Sequence, residues 1–539
     1  MAKKFGALFR RHLILLVFVL ALSPLGGVLT PDPAKAASSI KKASVQKKPQ
    51  SSAKKSSAQK NSTQKSEAKK KSAKSQVPKK KAQAGVKKNP KKAKVAKLDP
   101  EKLPFPDNVK TLAGSGAVLL IDHHVGQDLS RELFALNPDK AFVPASILKL
   151  VTAGAALDAL GFGYRFRTEF YLDPGRNLWI VGRGDPFLVA EELCLLMESL
   201  RQTGLSQVKD VYLDNSFFES GLILDGNTFT NNPYDAYNLA LGVNFNTVNY
   251  LIDQKGKIVE CDPCSPITEV TKEVASRNPL KKRRKNRYPQ EFRLNISSSP
   301  LDAEKNTGQM FQALLTKYGV TVSGDVVLGR TLPKNAKLIY AHLSSKTLEE
   351  LIKELLKHSN NFMTNQIFLT MGAEKFGAPA TPEKSHQVVI DFLAKYDLPS
   401  ITMVEGSGLS RRNSLTARQM SRILGTLEPV RHLINSNVDG SVIAKTGTMS
   451  DIQTLAGYLV RPERLEEPLS FVILLNGPYK TGTRDKILKA LKAHFIGEET
   501  KPIPQNAAEN SQKSAADSQK SAGKRPKDAG LFAPPSSTL

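Results

Sequence analysis

The sequence predicts a discontinuous α+β fold, in which one domain is assembled from two distant stretches of chain and another is inserted between them. Three observations carry this reading. A strand pair and an apolar helix open the folded region, a strand-strand-helix run closes it, and the long middle turns to recurrent short strands. At 539 residues the chain is long enough for two or more domains with a large core.

The opening strands are Ala117–Ile121 and Arg131–Leu136, joined as a hairpin by the polar segment Asp122–Asp128. Pro144 then leads into a stretch rich in Ala, Leu and Val that runs to Leu160, a buried helix with proline near its start. From Tyr164 to Tyr340 the strand candidates are Thr168–Leu172, Leu178–Val181, Val208–Leu213, Phe292–Ile296 and Val320–Leu328. Within that region Arg277–Gln290 carries the basic run Lys281 to Arg287, which an apolar strand does not tolerate, so it reads as an exposed, solvated loop. Helices resume at Leu348–Lys357, Phe362–Leu369 and Ser385–Tyr396. The closing run is Val442–Lys445, Thr454–Val460, Leu469–Leu475 and the helix Lys486–His494. The split domain therefore comprises residues 101–163 and 341–498, and the insert residues 164–340.

The formal net charge of +28, from 78 Lys and Arg against 50 Asp and Glu, is unevenly spread. Residues 41–97 hold 21 Lys and a single acid, Glu67, among Ser, Ala, Gln and Pro. Such a stretch has little to bury and repels itself, so residues 37–100 are expected to be disordered, as is the polar, Pro-rich tail 499–539. The first 36 residues read as a secretory signal. Lys3, Lys4, Arg10 and Arg11 precede the apolar Leu13–Leu22, too short alone to span a bilayer, and Ala34-Lys35-Ala36 is a small-x-small cleavage site. An uncleaved anchor is the alternative, opposed by Pro24, Gly26 and Gly27. Export to the periplasm removes nucleic acid as a partner of the basic segment. Anionic membrane surface or wall polymer takes its place, with a plain solvated linker as the alternative.

Of the three cysteines, Cys261 and Cys264 form a C-x-x-C that reads as a local disulfide in a surface loop, with redox chemistry the lesser reading. One such pair cannot complete a four-ligand structural zinc site, and no metal is expected. Cys194 lies in an apolar helical pattern and reads as core.

Three short motifs carry the chemistry. Ser146 and Lys149 stand three apart at the start of the apolar helix, where they share a face and where amide N–H groups favour developing negative charge. A serine hydroxyl needs a base, and a lysine serves once burial or a nearby cation lowers its pKa. Ser359-Asn360-Asn361 follows a charged amphipathic helix; it can relay a proton and hold a substrate amide, or simply cap the next helix. Lys445-Thr446-Gly447-Thr448 extends the strand Val442–Ala444: the lysine can meet a carboxylate, Gly447 lets a substrate backbone approach, and the Thr448 amide can point at an oxyanion. The same four letters recur at Lys480-Thr481-Gly482-Thr483, after the turn Asn476–Tyr479; this second copy reads as the connection into the last helix.

S-x-x-K, S-x-N and K-T-G in this order are shared by penicillin-binding proteins and class A beta-lactamases. The chain resembles the low-molecular-mass class C penicillin-binding proteins, the D-alanyl-D-alanine carboxypeptidase/endopeptidase family also called peptidase family S13. The resemblance runs from about residue 105 to 498. It rests also on Tyr164-Arg165-Phe166-Arg167-Thr168, Gly184-Asp185-Pro186, Tyr212–Phe217 and Gly406–Arg411. Ser146 and Ser359 are 213 residues apart, which leaves room for the family's large insert. Two positions depart from the family pattern. Glu405 stands where Asp usually precedes Gly-Ser-Gly-Leu-Ser, and Asn360 stands at the variable middle of S-x-N.

The resemblance implies the penicillin-binding/serine beta-lactamase-like transpeptidase fold, an antiparallel sheet with helices and a large inserted domain. It implies attack by Ser146, with Lys149 as base, on the bond between two D-amino acids of a peptidoglycan peptide, and beta-lactams as covalent inhibitors. Backbone N–H groups of Ser146 and Thr448 would form the oxyanion hole. Ser359 and Lys445 would pass the proton to the leaving amine, Asn361 would hold the acyl chain, and Lys445, Thr446 and Thr448 would bind the terminal carboxylate, with Gly447 between them. No organic cofactor is implied. The resemblance also implies a pocket for the diamino-acid side chain of the stem peptide, lined by Asp185, Arg411 and Met449; a turn or cap beside Pro186 is the other reading of Asp185. A class A-like beta-lactamase is the enzymatic alternative, opposed by the motif spacing. A non-catalytic peptidoglycan-binding protein is the other, opposed by the presence of both Ser146 and Lys149.

Overall fold

The computed structural model describes residues 99–126, 129–260, 262–277, 290–296 and 299–497. The signal, the lysine-rich segment, the C-terminal tail and nearly all of the basic loop read at Arg277–Gln290 lie outside the described residues.

Strands of four residues or more and α-helices are labelled in chain order. Helix α1 (Asp107–Ala113) precedes the hairpin of β1 (Ala117–Gly126) and β2 (Leu129–Leu136), and a short 3-10 turn then leads into α2 (Lys149–Leu160). The insert follows with β3 (Arg167–Leu172), β4 (Leu178–Gly182), α3 (Ala190–Gln202) and β5 (Val211–Asp214). It continues through β6 (Thr247–Ile252), α4 (Glu269–Arg277), β7 (Gln290–Asn295), α5 (Pro300–Lys317) and β8 (Lys337–Leu343). Helices α6 (Leu348–His358), α7 (Asn361–Phe376), α8 (Pro382–Lys395) and α9 (Ala417–Leu427) come next. Strands β9 (Val442–Met449), β10 (Ile452–Arg461) and β11 (Arg464–Asn476) and helix α10 (Thr483–Phe495) end the described fold.

The main sheet has the order β9-β10-β11-β1-β2 and is antiparallel throughout. Alternation along β1, β10 and β11 explains why they read as apolar runs. Leu119 and Ile121 of β1, with Tyr458 and Val472, face a core shared with α2, α7, α8 and α9. Val118 and Leu120, with Leu459, Phe471 and Ile473, face the opposite side, against α1 and α10. Both faces are covered, so both phases of the period-two pattern must be apolar. Helix α2 is the hub of the first core. At Gly154 Phe392 of α8 and Leu427 of α9 press so close that a methyl group would lie 2.9 Å from each.

The insert has its own cores. A mixed sheet, in the order Val326–Val327, β5, β4, β3, β8, packs on α3 and α5, and a smaller sheet containing β7 and β6 packs on α4. The chain leaves and re-enters the main domain through paired neighbours, with Arg167 of β3 opposite Leu343 of β8. Two expected strands are each broken in two. Val208–Leu213 divides at Lys209-Asp210, and Val320–Leu328 at Ser323-Gly324, where any side chain on Gly324 would collide with Asp210. Helix α5 has no counterpart in the strand pattern read from the sequence. Its middle residues Asn306, Thr307 and Gly308 are weak helix formers, yet they are buried, and Ser299 caps its start by accepting the Asp302 amide.

The cysteine reading is corrected. Cys194 on α3 is bonded to Cys264, with a Cα–Cα distance of 5.6 Å and a sequence separation of 70 residues. The apolar pattern around Cys194 reflects the core that buries the bridge, and sequence proximity of Cys261 to Cys264 carried no geometric information. The bridge ties α3 to the segment before α4. Closing a loop of this length restricts the unfolded chain, so Cys194→Ser is expected to destabilise the insert by about 2–4 kcal/mol. Non-reducing peptide mapping that links the Cys194 peptide to one lacking Cys264 would overturn the pairing.

Candidate active site

Ser146 lies in the 3-10 turn Ala145–Leu148, and α2 begins at Lys149. Residues i and i+3 eclipse in such a turn, so the lysine stands over the serine. Ala145 adopts φ of 50°, a left-handed conformation that disfavours a Cβ. Packing from two sides enforces it. A methyl group at Gly408 would lie 2.0 Å from the Ala145 carbonyl oxygen, and one at Gly447 would lie 3.0 Å from the Ser146 amide nitrogen. Thr454 Oγ1 also donates to the Pro144 carbonyl at 2.7 Å. The backbone at Ala145-Ser146 is thus clamped between the 405–410 loop and strand β9.

Lys149 is fully buried. Its Nζ donates to Ser146 Oγ at 3.0 Å, to Asn361 Oδ1 at 2.7 Å and to the Ser407 carbonyl at 2.6 Å. An ammonium has three protons, and these bonds use all of them. When one is lost, the carbonyl and the carboxamide retain two N–H groups, which leaves the lone pair facing Ser146. Burial, with the Lys445 ammonium nearby, pulls the Lys149 pKa down to about 7 against the opposing charge of Glu405.

Glu405 holds the loop that supplies the Ser407 carbonyl. Its buried carboxylate accepts from the amides of Ser407, Gly408 and Ser410 and from the side chains of Ser407, Asn413 and Asn365. Both oxygens are saturated, so the extra methylene relative to Asp is absorbed without leaving an unpaired acceptor.

The second motif joins two helix ends. Ser359 is the left-handed C-cap of α6, with φ of 53°, and Asn360 is the N-cap of α7, accepting the Met363 amide at 3.0 Å. That reversal aims Ser359 and Asn361 at different lysines. Asn361 meets Lys149 as above, and Ser359 Oγ accepts from Lys445 Nζ at 2.9 Å. Lys445 is buried and also donates to the Thr446 carbonyl. Burial first, and then the Arg484 guanidinium, lower its pKa to about 8. Along β9 the side chains of Thr446 and Thr448 are exposed, while Lys445 and Gly447 are buried.

The structure brings Ser146, Lys149 and Asn361 into one hydrogen-bonded group and Ser359 and Lys445 into a second, and the charge of Lys445 acts on Lys149. It does not bring Asp185 to Arg411. Asp185 is buried in the insert, closes a turn by accepting the Phe187 amide at 2.8 Å and has Glu192 and His342 as its charged neighbours. Arg411 is exposed and pairs with Asp451 at 2.6 Å and with Ser450, just past Met449. The pocket expected from these three residues therefore loses its acid. The turn beside Pro186 uses one carboxylate oxygen of Asp185, and the other is buried without a hydrogen-bond partner. A groove next to Asn361 is lined instead by Leu224, Asp225, Tyr234, Asn238 and Leu409, with Asp225 accepting from the Ser410 hydroxyl. The second K-T-G-T copy is structural, since Gly482 is the N-cap of α10. The residue after it was missed: Arg484 reaches back to Gly447, Thr448 and Thr454. Its place directly behind a repeat of the motif was the available signal.

A serine under a buried, depressed lysine, with a second lysine relayed through a serine, defines an acyl-transfer hydrolase of the penicillin-binding type. The model of the D-Ala-D-Ala carboxypeptidase 3 (S13) family matches residues 125–429 and 425–494, and the chain belongs to that family. The D-alanyl-D-alanine carboxypeptidase of Actinomadura sp. (strain R39) is 29% identical over 449 residues, which cover 71% of this chain and 82% of that protein. The D-alanyl-D-alanine carboxypeptidase DacB of Haemophilus influenzae is 27% identical over 403 residues, 64% of this chain and 82% of that one. The crystal structure of penicillin binding protein 4 (dacB) from Haemophilus influenzae shares the fold. It superposes with a TM-score of 0.59 at 21% identity, covering 73% of this chain and 100% of that one. The protein is accordingly a serine-type DD-carboxypeptidase/endopeptidase of peptidoglycan, sensitive to beta-lactams, and as a member of its family a periplasmic, cell-wall-associated enzyme.

The structural role of Asp185 has a pH signature. Burial raises its pKa from 3.8 to about 7, whereas the unfolded chain releases the proton near the ordinary value. Between those limits the native state binds more protons, so stability falls as pH rises through the window. Asp185→Asn, neutral at every pH, is expected to melt higher than wild type by roughly a few degrees at pH 8, with the gap closing toward pH 4. Thermal melts that show a constant gap would contradict this.

Proposed function

We propose that Ser146 is the nucleophile of this DD-peptidase and that Lys149 is its base. The observation that carries the reading is the Lys149 amine itself, 3.0 Å from Ser146 Oγ and anchored on its other sides by Asn361 and the Ser407 carbonyl. Neutral Lys149 takes the hydroxyl proton as Oγ attacks the carbonyl of the penultimate D-residue. The amides of Ser146 and Thr448 receive the developing oxyanion, where fixed donors stabilise charge most. Lys445, held on Ser359, keeps that hydroxyl oriented to deliver a proton to the leaving amine, and the proton that Lys149 took from Ser146 passes on to restore the Ser359 hydroxyl. Asn361 holds the acyl-chain amide, and Thr446 and Thr448 on the exposed edge of β9 take the terminal carboxylate. Water then releases the acyl-enzyme by the same proton path in reverse.

The acyl side of the stem peptide runs into the groove beside Asn361. Arg411 and Met449 flank the end of β9 and bind the distal side chain. The lysine-rich segment, which leaves the first domain at its N-terminal side, adds attraction to anionic wall or membrane surface after cleavage at Ala34-Lys35-Ala36.

Three measurements test the chemistry. Labelled penicillin should acylate Ser146 alone, and Ser146→Ala should abolish labelling; an adduct elsewhere removes the assignment. Lys445→Ala should lower kcat/KM by about a hundredfold or more, as loss of a charged hydrogen-bonding partner in a dry site does, while Lys480→Ala leaves it near wild type. The pH profile follows from the two lysines. Lys149 acts as base only above its pKa of about 7, and Lys445 is charged only below about 8. The kcat/KM profile should therefore be a narrow bell whose limbs belong to the coupled pair. A rate flat from pH 6 to 9 would exclude Lys149 as the base.

A further inference from the structure

Arg484 stands in the first turn of α10, outside the three motifs, yet its side chain returns to the K-T-G strand. Its Nη1 lies 3.3 Å from the Thr454 carbonyl, 3.4 Å from the Gly447 carbonyl and 3.4 Å from Thr448 Oγ1. Nε donates to Asp485 at 3.0 Å. The arginine side chain is only 15% exposed while its acidic partner is 61% exposed. Solvent therefore screens Asp485 far more than the guanidinium, and the field toward β9 remains positive. The segment is fastened in place: Gln453 Nε2 donates to the Lys480 carbonyl at 2.9 Å, and Tyr479 OH donates to the Ala113 carbonyl at 2.6 Å.

The other charges around this strand are the buried Lys149 and Lys445 on the cleft side, Glu405 beneath Lys149, and the exposed Arg411–Asp451 pair at the strand end. Glu405 is consumed by its own loop, and Asp451 by Arg411. Three cations therefore surround the edge where Thr446 and Thr448 are exposed, with no unpaired acid among the described residues facing them. The effect of Arg484 is already visible on Lys445, whose pKa it helps to depress. A hydroxyl that accepts from a guanidinium has its own proton free to donate in another direction. Unlike lysine, arginine cannot lose its charge during turnover.

We propose that Arg484 is a positioning residue that orients the Thr448 hydroxyl and sets a permanent positive charge behind β9, making the enzyme selective for acyl donors whose leaving group ends in a free carboxylate. The proposal rests on the Ser146 reading above, and it adds the source of that selectivity. A D-alanine leaving group, or the D-centre of a cross-linked diamino acid, presents such a carboxylate one residue beyond the scissile bond. Selectivity for it arises from a residue that does not touch it.

The test uses two thioester acyl donors of the full-length protein, identical except that one leaving group is thioglycolate and the other its neutral amide. Wild type should prefer the carboxylate donor in kcat/KM. Arg484→Gln should lower the ratio of the two kcat/KM values by about tenfold to a hundredfold, the range of one charge-assisted hydrogen bond, and Arg484→Lys should restore part of it. Thr448→Val, which keeps the β-branched shape, should lower the same ratio, and adding Arg484→Gln to it should lower the ratio by a smaller factor than Arg484→Gln does alone. Both donors are assayed on one preparation, so the ratio does not depend on how much of a variant is folded. Equal losses on both donors, or fully additive effects of the two substitutions, would overturn the proposal while leaving Ser146 untouched. Hydrolysis of either donor by Ser146→Ala would instead overturn the underlying reading.

Discussion

The hydrogen bond from Lys149 to the Ser407 carbonyl is the constraint on which the rest of the site depends. It exists only because Gly408 lets the 405–410 loop ride against the Ala145 backbone, and that loop keeps its shape only because Glu405 gathers six donors around one carboxylate. A lysine fully withdrawn from water costs several kcal/mol when charged, so its proton is held loosely. Were the carbonyl elsewhere, the amine would have one anchor fewer and its lone pair no fixed direction. Catalytic readiness is here a property of a buried carboxylate that never meets the substrate.

The main sheet serves this arrangement by stiffness. Strand β9 lies at the sheet edge, braced on one side by β10 and in register from Val442 to Met449. The turn bearing Ser146 is pinned to it through Thr454 and Gly447. Helices α6 and α7 meet in a sharp reversal whose strained residue, Ser359, is the one that accepts from Lys445. Strain at Ala145 and at Ser359 is tolerated because the two cores on either face of the sheet over-determine the backbone.

Much of this was legible in the sequence, and the reason differs by element. The three motifs could be read because they are local. Ser146 and Lys149 share a turn, Ser359 and Asn361 share a reversal, and Lys445 lies on an apolar strand, so spacing alone fixes their geometry. Strands β1, β10 and β11 were legible because both their faces are buried, which writes apolar runs. What failed depended on contacts far apart in sequence. The Cys194–Cys264 bridge, the separation of Asp185 from Arg411 and the return of Arg484 to β9 are facts about packing, and no periodicity encodes them. Helix α5 was hidden for a different reason: Asn306, Thr307 and Gly308 occupy the buried face in its middle, so the apolar positions of that face are interrupted in the sequence.

The pairing of Arg167 with Leu343 bears on how the enzyme is made. The strands that begin and end the insert are hydrogen-bonded neighbours, so once the insert's sheet has formed, the helices α2 and α6 are connected as though by a hairpin. Loop-closure entropy, which rises with the logarithm of loop length, is then charged to the insert's own collapse and not to the union of Ser146 with Ser359. A chain that folds its middle first would shorten the effective distance between the two halves of its main domain, although β1 must still find β11 across the whole fold.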